Sequence, residues 1–167
     1  LFLIEGITNA LEAINVDWPI AFGFYTKDLL QDNKGSLILS ALEEKAEVFL
    51  LSQDLIAAIA TTEQPQPIVL IGRQREYLPE EFMAGMPGQV VLLDGLQDPG
   101  NIGTIFRTSW AAGAKGILLT EDCADIYNSK TVRSAMGGLY HMPFFSATRE
   151  KLLDYLHQYH YKIYLAD

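Results

Sequence analysis

A chain of 167 residues, 49% of them apolar, is long enough to bury a core and to make one domain or two small ones. Twelve Lys and Arg against 21 Asp and Glu leave a formal charge of −9, which excludes a polyanion binder held by bulk charge and confines any nucleic-acid contact to local patches. No apolar run reaches the roughly 18 to 20 residues that span a bilayer, and the start lacks the features of a signal peptide, so the expected setting is cytoplasmic.

The first part of the chain alternates strand and helix patterns. Residues 2–5 read as a strand, 8–14 as an amphipathic helix and 20–25 as extended. Residues 37–44 follow as a helix, with Leu37, Leu39, Ala41 and Leu42 suited to one side; 48–51 is a strand, 55–59 a short helix and 68–71 a closing strand. Pro65 and Pro67, with two glutamines, make 61–67 a loop into that strand. A small α/β unit is expected over 1–74.

Periodicity fails from 73 to 88, where Pro79, Pro87 and glycines bracket a short segment at 80–83. The expectation is a linker at 75–88, against the competing reading of a long surface loop within one domain. Beyond it, strands at 89–93, 116–119, 143–145 and 162–165 alternate with helices at 102–112, 130–137 and 149–159. Alternation of this kind calls for a parallel sheet covered on both faces, with ligands beyond the carboxyl ends of its strands. Those ends are the loops 94–101 and 120–128 and whatever follows Leu165.

The stretch from Asp94 to Arg107, DGLQDPGNIGTIFR, runs from a buried strand through a turn into a helix. One reading is turn chemistry alone, with Pro99-Gly100 turning, Asn101 capping, and Ile102, Ile105, Phe106 and Ser109 facing inward. The other rests on Arg107, which lies beside core positions with no acidic residue three or four places away. Near free amides at a helix start, such a cation suits an anion such as a nucleic-acid phosphate. The dinucleotide fingerprint G-x-G-x-x-G is absent, which argues against an NAD enzyme.

A second cluster, DIYNSKTVRSAMGG from Asp125, also follows a strand and opens a helix. Lys130 and Arg133 share a helical face near its N-terminus, where the helix dipole disfavours positive charge. Phosphate or ribose contact is one explanation; pairing of Arg133 with a distant carboxylate is the other. Gly137-Gly138 would end the helix or permit close packing. Cys123, the only cysteine, excludes an internal disulfide and a cysteine-based zinc site, and reads as a small, partly buried hydrophobe. His141, His157 and His160 show no metal or triad spacing, no metal is expected, and the scattered aromatics do not make a base-stacking platform.

LLDGLQDPGNIGTIFRTSWAAG and DIYNSKTVRSAMGGLYHMPF resemble the first and second signatures of the SpoU (TrmH-like) family of RNA ribose 2′-O-methyltransferases, of the SPOUT class. FLIEGITNALEAI resembles the opening of the small substrate-binding domain of many members. The resemblance implies a ribosomal-protein-like α/β domain that grips structured RNA, joined to a parallel-sheet trefoil-knot domain at 89–167. It also implies S-adenosyl-L-methionine as cofactor, a homodimer through the second domain, and a role in rRNA processing, with 23S rRNA favoured over tRNA. Asn101 and Arg107 match the family's active-site asparagine and arginine; Asn128, Lys130 and Arg133 match polar positions expected to touch RNA. A guanidinium is a poor proton acceptor at neutral pH, so Arg107 is better read as an anion clamp than as a base.

The family's third signature is not found after 162–165. The chain therefore reads as an excerpt that ends before the knot segment, with Leu165, Ala166 and Asp167 at the edge of the cofactor pocket. Weak cofactor binding and no activity are expected of residues 1–167 alone. The alternatives are a noncatalytic RNA-binding or assembly module, a tRNA ribose methyltransferase, and a generic nucleotide-binding α/β protein.

Overall fold

The structure is a computed structural model that describes residues 1–84 and 88–166. Residues 85–87 of the expected linker, and Asp167 of the expected cofactor edge, lie outside the described residues.

Four short strands, β1 (Phe2–Glu5), β2 (Ile20–Tyr25), β3 (Glu47–Leu50) and β4 (Ile68–Gly72), form a mixed sheet in the order β1-β4-β2-β3. β4 runs antiparallel to β1 and β2, while β2 and β3 are parallel. Helices α1 (Ile7–Asn15) and α2 (Asn33–Glu43) bury Ala10 and Ala13, and Ile38, Leu39 and Leu42. A third helix, α3 (Gln53–Ile59), buries Ile56. α2 starts earlier than expected because the Asp32 carboxylate accepts the Lys34 N–H at 2.7 Å and caps it. The inward stripe is accordingly Gly35, Ile38, Leu39 and Leu42, and Leu37, expected on it, is 67% exposed. At 100° per residue the 38/42 pair fixes the buried face and turns 37 away from it.

The second sheet holds β5 (Val90–Leu93), β6 (Gly116–Thr120) and β7 (Phe144–Ala147), all parallel, in the order β5-β6-β7. Both faces are covered, as the alternating pattern requires. Ile117 and Leu119 join Ile102 and Phe106 of α5 (Pro99–Ala111) and Val132 of α6 (Ser129–Ala135). Leu118, pointing the other way, joins Phe82 and Met83 of α4 (Pro79–Met83) and Leu152 and Leu156 of α8 (Arg149–Gln158).

The expected single helix over 130–137 is broken. α6 stops at Ala135, Met136 adopts the left-handed conformation (φ 46°), Gly137 follows at φ 94°, and a short helix α7 (Gly138–His141) begins. The expected strand at 162–165 is not formed: residues 161–166 are irregular, and Ile163, Tyr164 and Leu165 are exposed. An apolar run becomes a strand only when a neighbouring strand pairs with its amides, and among the described residues none pairs with it.

The two sheets share one continuous core. Phe2, Trp18 and Tyr140 stack edge to face, with centroids 6.2 and 5.3 Å apart, and Tyr127 lies 4.6 Å from Phe2 and 5.9 Å from Phe144. The start of the expected linker is tied into this core. The Arg75 N–H donates to the Tyr127 hydroxyl at 2.8 Å, which in turn donates to the Arg75 carbonyl at 2.9 Å, and the Arg75 guanidinium lies 4.5 Å over the Trp18 ring. Among the described residues no helix is long and apolar enough to cross a membrane.

Candidate active site

The loops after β5 and β6 are stitched together where a parallel sheet presents its ligand edge. The Gly95 N–H donates to Thr120 Oγ1 at 2.8 Å, the Leu96 N–H to Cys123 Sγ at 3.3 Å, and the Ala124 N–H to the Leu96 carbonyl at 2.9 Å. The Gln97 side chain donates to the Asp122 carbonyl. Gly95 sits at φ 64°, where a side chain would be strained. Asp94, at the end of β5, receives the Arg149 guanidinium through Nε at 3.0 Å and Nη2 at 2.7 Å. Half-buried Cys123 spends its thiol on Leu93 and Leu96 backbone groups, in keeping with a structural role.

α5 is capped by Asp98 rather than by Asn101, and it starts three residues earlier than expected. Pro99 takes the first helical position, where its missing N–H costs nothing, and the Asp98 carboxylate accepts the Asn101 N–H at 2.8 Å. That bond, with the Lys130 ammonium at 3.1 Å from Oδ2, holds the Asp98 carboxyl below the usual carboxylate range. Lys130 and Asp98 are both solvent-exposed, so the pair contributes little to stability and is open to exchange.

α5 and α6 meet closely because Gly103 has no side chain. A β-carbon there would lie 2.0 Å from Ser134 Oγ and 2.4 Å from the Thr131 carbonyl. Gly138 does the same at the next contact, against the backbone of Arg107 at 2.8 to 2.9 Å. Arg107 therefore emerges from the face of α5 that carries Gly103 and looks onto the α6–α7 turn. It is exposed, with Nη1 2.9 Å from Met136 Sδ, and among the described residues it forms no ion pair. Asn101 is also exposed. Six residues apart on a helix, the two lie about 9 Å apart along the axis and about 120° around it, so α5 alone does not aim both at one atom.

Asn128 caps α6, its Oδ1 accepting the Lys130 N–H at 2.9 Å. Lys130 and Arg133, expected on a common face, part company: Lys130 turns to Asp98, while Arg133 Nη1 reaches Thr61 Oγ1 at 2.5 Å and Glu5 Oε1 at 3.4 Å. This is the distant carboxylate of the second reading of Arg133. His141 stacks flat on Trp110, 4.1 Å away and 8° from parallel, with Nε2 2.9 Å from Glu12 Oε2. Of the expected cofactor edge, Leu165 is 94% exposed and Ala166 is exposed. Among the described residues no three His, Cys, Asp or Glu side chains group as metal ligands. Sequence reasoning missed Glu5 and Thr61; a lone carboxylate ending the apolar strand FLIE was the available signal.

A mixed-sheet α/β unit followed by a parallel-sheet unit, with loops joined at the strand ends, defines a two-part α/β architecture. Residues 88–167 match the SpoU rRNA Methylase family, and residues 1–70 match the MRM3-like substrate binding domain. The chain is 36% identical over 163 residues to the 23S rRNA (guanosine(2553)-2'-O)-methyltransferase RlmP of Bacillus subtilis (strain 168), covering 98% of this chain and 61% of that protein. It is 37% identical over 153 residues to the mitochondrial rRNA methyltransferase 3 of Homo sapiens, covering 84% of this chain and 34% of the relative. The crystal structure of AdoMet-bound rRNA methyltransferase from Sinorhizobium meliloti superposes with a TM-score of 0.81 at 28% identity, over 93% of this chain and 57% of that one. In its residues 88–167 the chain belongs to the SpoU rRNA methylase family. It spans less than two thirds of the length of these relatives.

Proposed function

We propose that the protein transfers a methyl group from S-adenosyl-L-methionine to a ribose 2′-oxygen of structured RNA, with 23S rRNA favoured over tRNA. Residues 1–74 hold the RNA, 75–88 connect, and 89–167 belong to the catalytic unit, through which two copies pair; the protein works in the cytoplasm. The observation that carries this reading is Arg107, an exposed guanidinium with no carboxylate partner among the described residues, fixed beside the α6–α7 turn by glycine-mediated packing. Support comes from relatives named as 23S rRNA 2'-O-methyltransferases and from the AdoMet-bound neighbour.

Leu165 and Ala166, at the proposed edge of the cofactor pocket, are open to solvent. The mechanism therefore follows this chain's own groups. When bound, the cofactor supplies an electrophilic sulfonium methyl; the protein must align the ribose oxygen with it and ease loss of the hydroxyl proton. Arg107 binds the phosphate next to the target ribose and stabilises the developing alkoxide, while that phosphate or water takes the proton. Asn101, about one and two-thirds turns earlier, donates to the ribose from the side. Asn128 and Lys130 hold the RNA backbone, a phosphate replacing Asp98 on Lys130.

The test is transfer of labelled methyl from the cofactor to rRNA by the full-length protein. Label at a 2′-oxygen is expected. RNA binding without transfer would replace the proposal with the noncatalytic module.

A further inference from the structure

Glu5 closes β1 at only 7% exposure, and an ionised carboxylate at that depth needs several donors. It has them. The Thr61 N–H lies 3.2 Å from both carboxylate oxygens, Thr61 Oγ1 donates to Oε1 at 2.5 Å, Thr62 Oγ1 donates to Oε2 at 3.2 Å, and Arg133 Nη1 reaches Oε1 at 3.4 Å. Three of these donors sit in the loop before β4; the fourth comes from α6, 128 positions away. Arg133 completes the cluster by donating to Thr61 Oγ1 as well.

A second carboxylate from the same side holds the other end of the same segment. Glu12, on α1, pairs with His141 at the end of α7, and a β-carbon on Gly137 would meet Glu12 Cγ at 2.6 Å. The α6–α7 segment is thus gripped by Glu5 and Glu12 on one side and by Gly103 and Gly138 contacts with α5 on the other. Met136, between the two grips, is the residue against which Arg107 rests.

We infer that Glu5 and Arg133 are positioning residues for methyl transfer. Their pair fixes the RNA-holding unit on the catalytic unit, so that RNA gripped by the first presents its ribose at Arg107. The inference rests on the methyltransferase reading above. Arg133 touches Glu5 and Thr61 and acts on the reaction through the placement of α6–α7.

The experiment uses the full-length protein, wild type and with Glu5→Gln, Arg133→Gln, Arg133→Lys and the Glu5→Gln/Arg133→Gln double substitution. An rRNA fragment long enough to occupy both units is the substrate, at a temperature where every variant is folded by circular dichroism. A misplacement of about an ångström costs on the order of 100-fold, so each Gln variant is expected to lose about that much kcat, with RNA Kd within about twofold of wild type. The double variant is expected to be no worse than the poorer single one, because both remove the same contact, and Arg133→Lys to recover part of the loss. Amide exchange at Thr61 and Thr62 is expected to rise in Arg133→Gln. Unchanged kcat in the folded Gln variants, or a loss confined to RNA affinity, would overturn the positioning role. Wild-type inactivity on this RNA would instead overturn the methyltransferase reading, and unchanged exchange at Thr61 and Thr62 would then sink the domain-fixing pair on its own.

Discussion

Gly138 stands against the backbone of Arg107, where a β-carbon would lie 2.8 Å from the Arg107 Cα and 2.9 Å from its amide nitrogen. Neither atom can swing aside as a side-chain tip would, because both belong to the middle of α5. Gly138→Ala must therefore separate α7 from α5 at the turn that carries the proposed anion clamp. Overpacking of this kind costs about 1–3 kcal/mol, readable in urea unfolding, and kcat should fall with it. An alanine variant of wild-type stability would show that the two helices are free to slide.

Arg107 should be replaceable neither by alanine nor by lysine. Removing a donor aimed at developing negative charge costs about 10²–10³-fold in kcat, and a lysine keeps the charge but loses the planar fork. Single-turnover rates with saturating RNA are the measurement. Near-normal turnover by Arg107→Lys with unchanged RNA affinity would remove the fork from the mechanism.

Asp98 links the helix cap to Lys130, and its behaviour with pH has a definite sign. Its folded-state pKa is lowered below the ordinary value of 3.8, chiefly by the Asn101 N–H and then by Lys130. The contribution to stability is therefore complete above that ordinary value and is lost as pH falls through the lower folded one. Asp98→Asn keeps the cap acceptor and should flatten the acid limb of a Tm-against-pH curve. It also removes the competitor for Lys130, so RNA affinity should rise at low salt, whereas Lys130→Ala should make the log–log salt slope shallower by about 0.7–0.9. An unchanged slope would mean that Lys130 does not meet a phosphate.

Tyr127 locks the chain between the two units through its hydroxyl, which both accepts from and donates to Arg75. Tyr127→Phe leaves a partly buried amide and carbonyl without that partner, at a cost of about 1–3 kcal/mol. Hydrogen exchange at Arg75 should accelerate far more than at Leu118, in the centre of the second sheet. Equal acceleration at both would mean that the change is global and that the hydroxyl is no local lock.

The strands of the second sheet were legible because each is a short apolar run between turn signals, and parallel order follows from the helices between them. Arg107 stands out in the sequence as a cation beside core positions with no acidic neighbour on its own helix, and in the structure it is exposed with no ion pair among the described residues. The cap of α5 was misread because Pro99-Gly100 looks like a turn, whereas proline at the first helical position places the cap one residue earlier, at Asp98. Residues 162–165 carry a strand's composition, but composition does not supply the paired neighbour that makes a strand. A distant carboxylate for Arg133 was one of two readings, but that it is Glu5 could not be read, since it depends on how β1 and α6 meet across the shared core. The same holds for the flat stack of Trp110 on His141.

The most direct test of the central claim is the position of the methyl group after the full-length protein acts on 23S rRNA with labelled S-adenosyl-L-methionine. A 2′-O-methyl ribose cannot use its 2′-oxygen to cleave the adjoining phosphodiester, so alkaline hydrolysis should leave one labelled, uncleaved dinucleotide. Arg107→Ala should abolish it while RNA still binds. Label recovered on a base in an alkali-labile mononucleotide, or no label in RNA that the protein binds, would contradict the account.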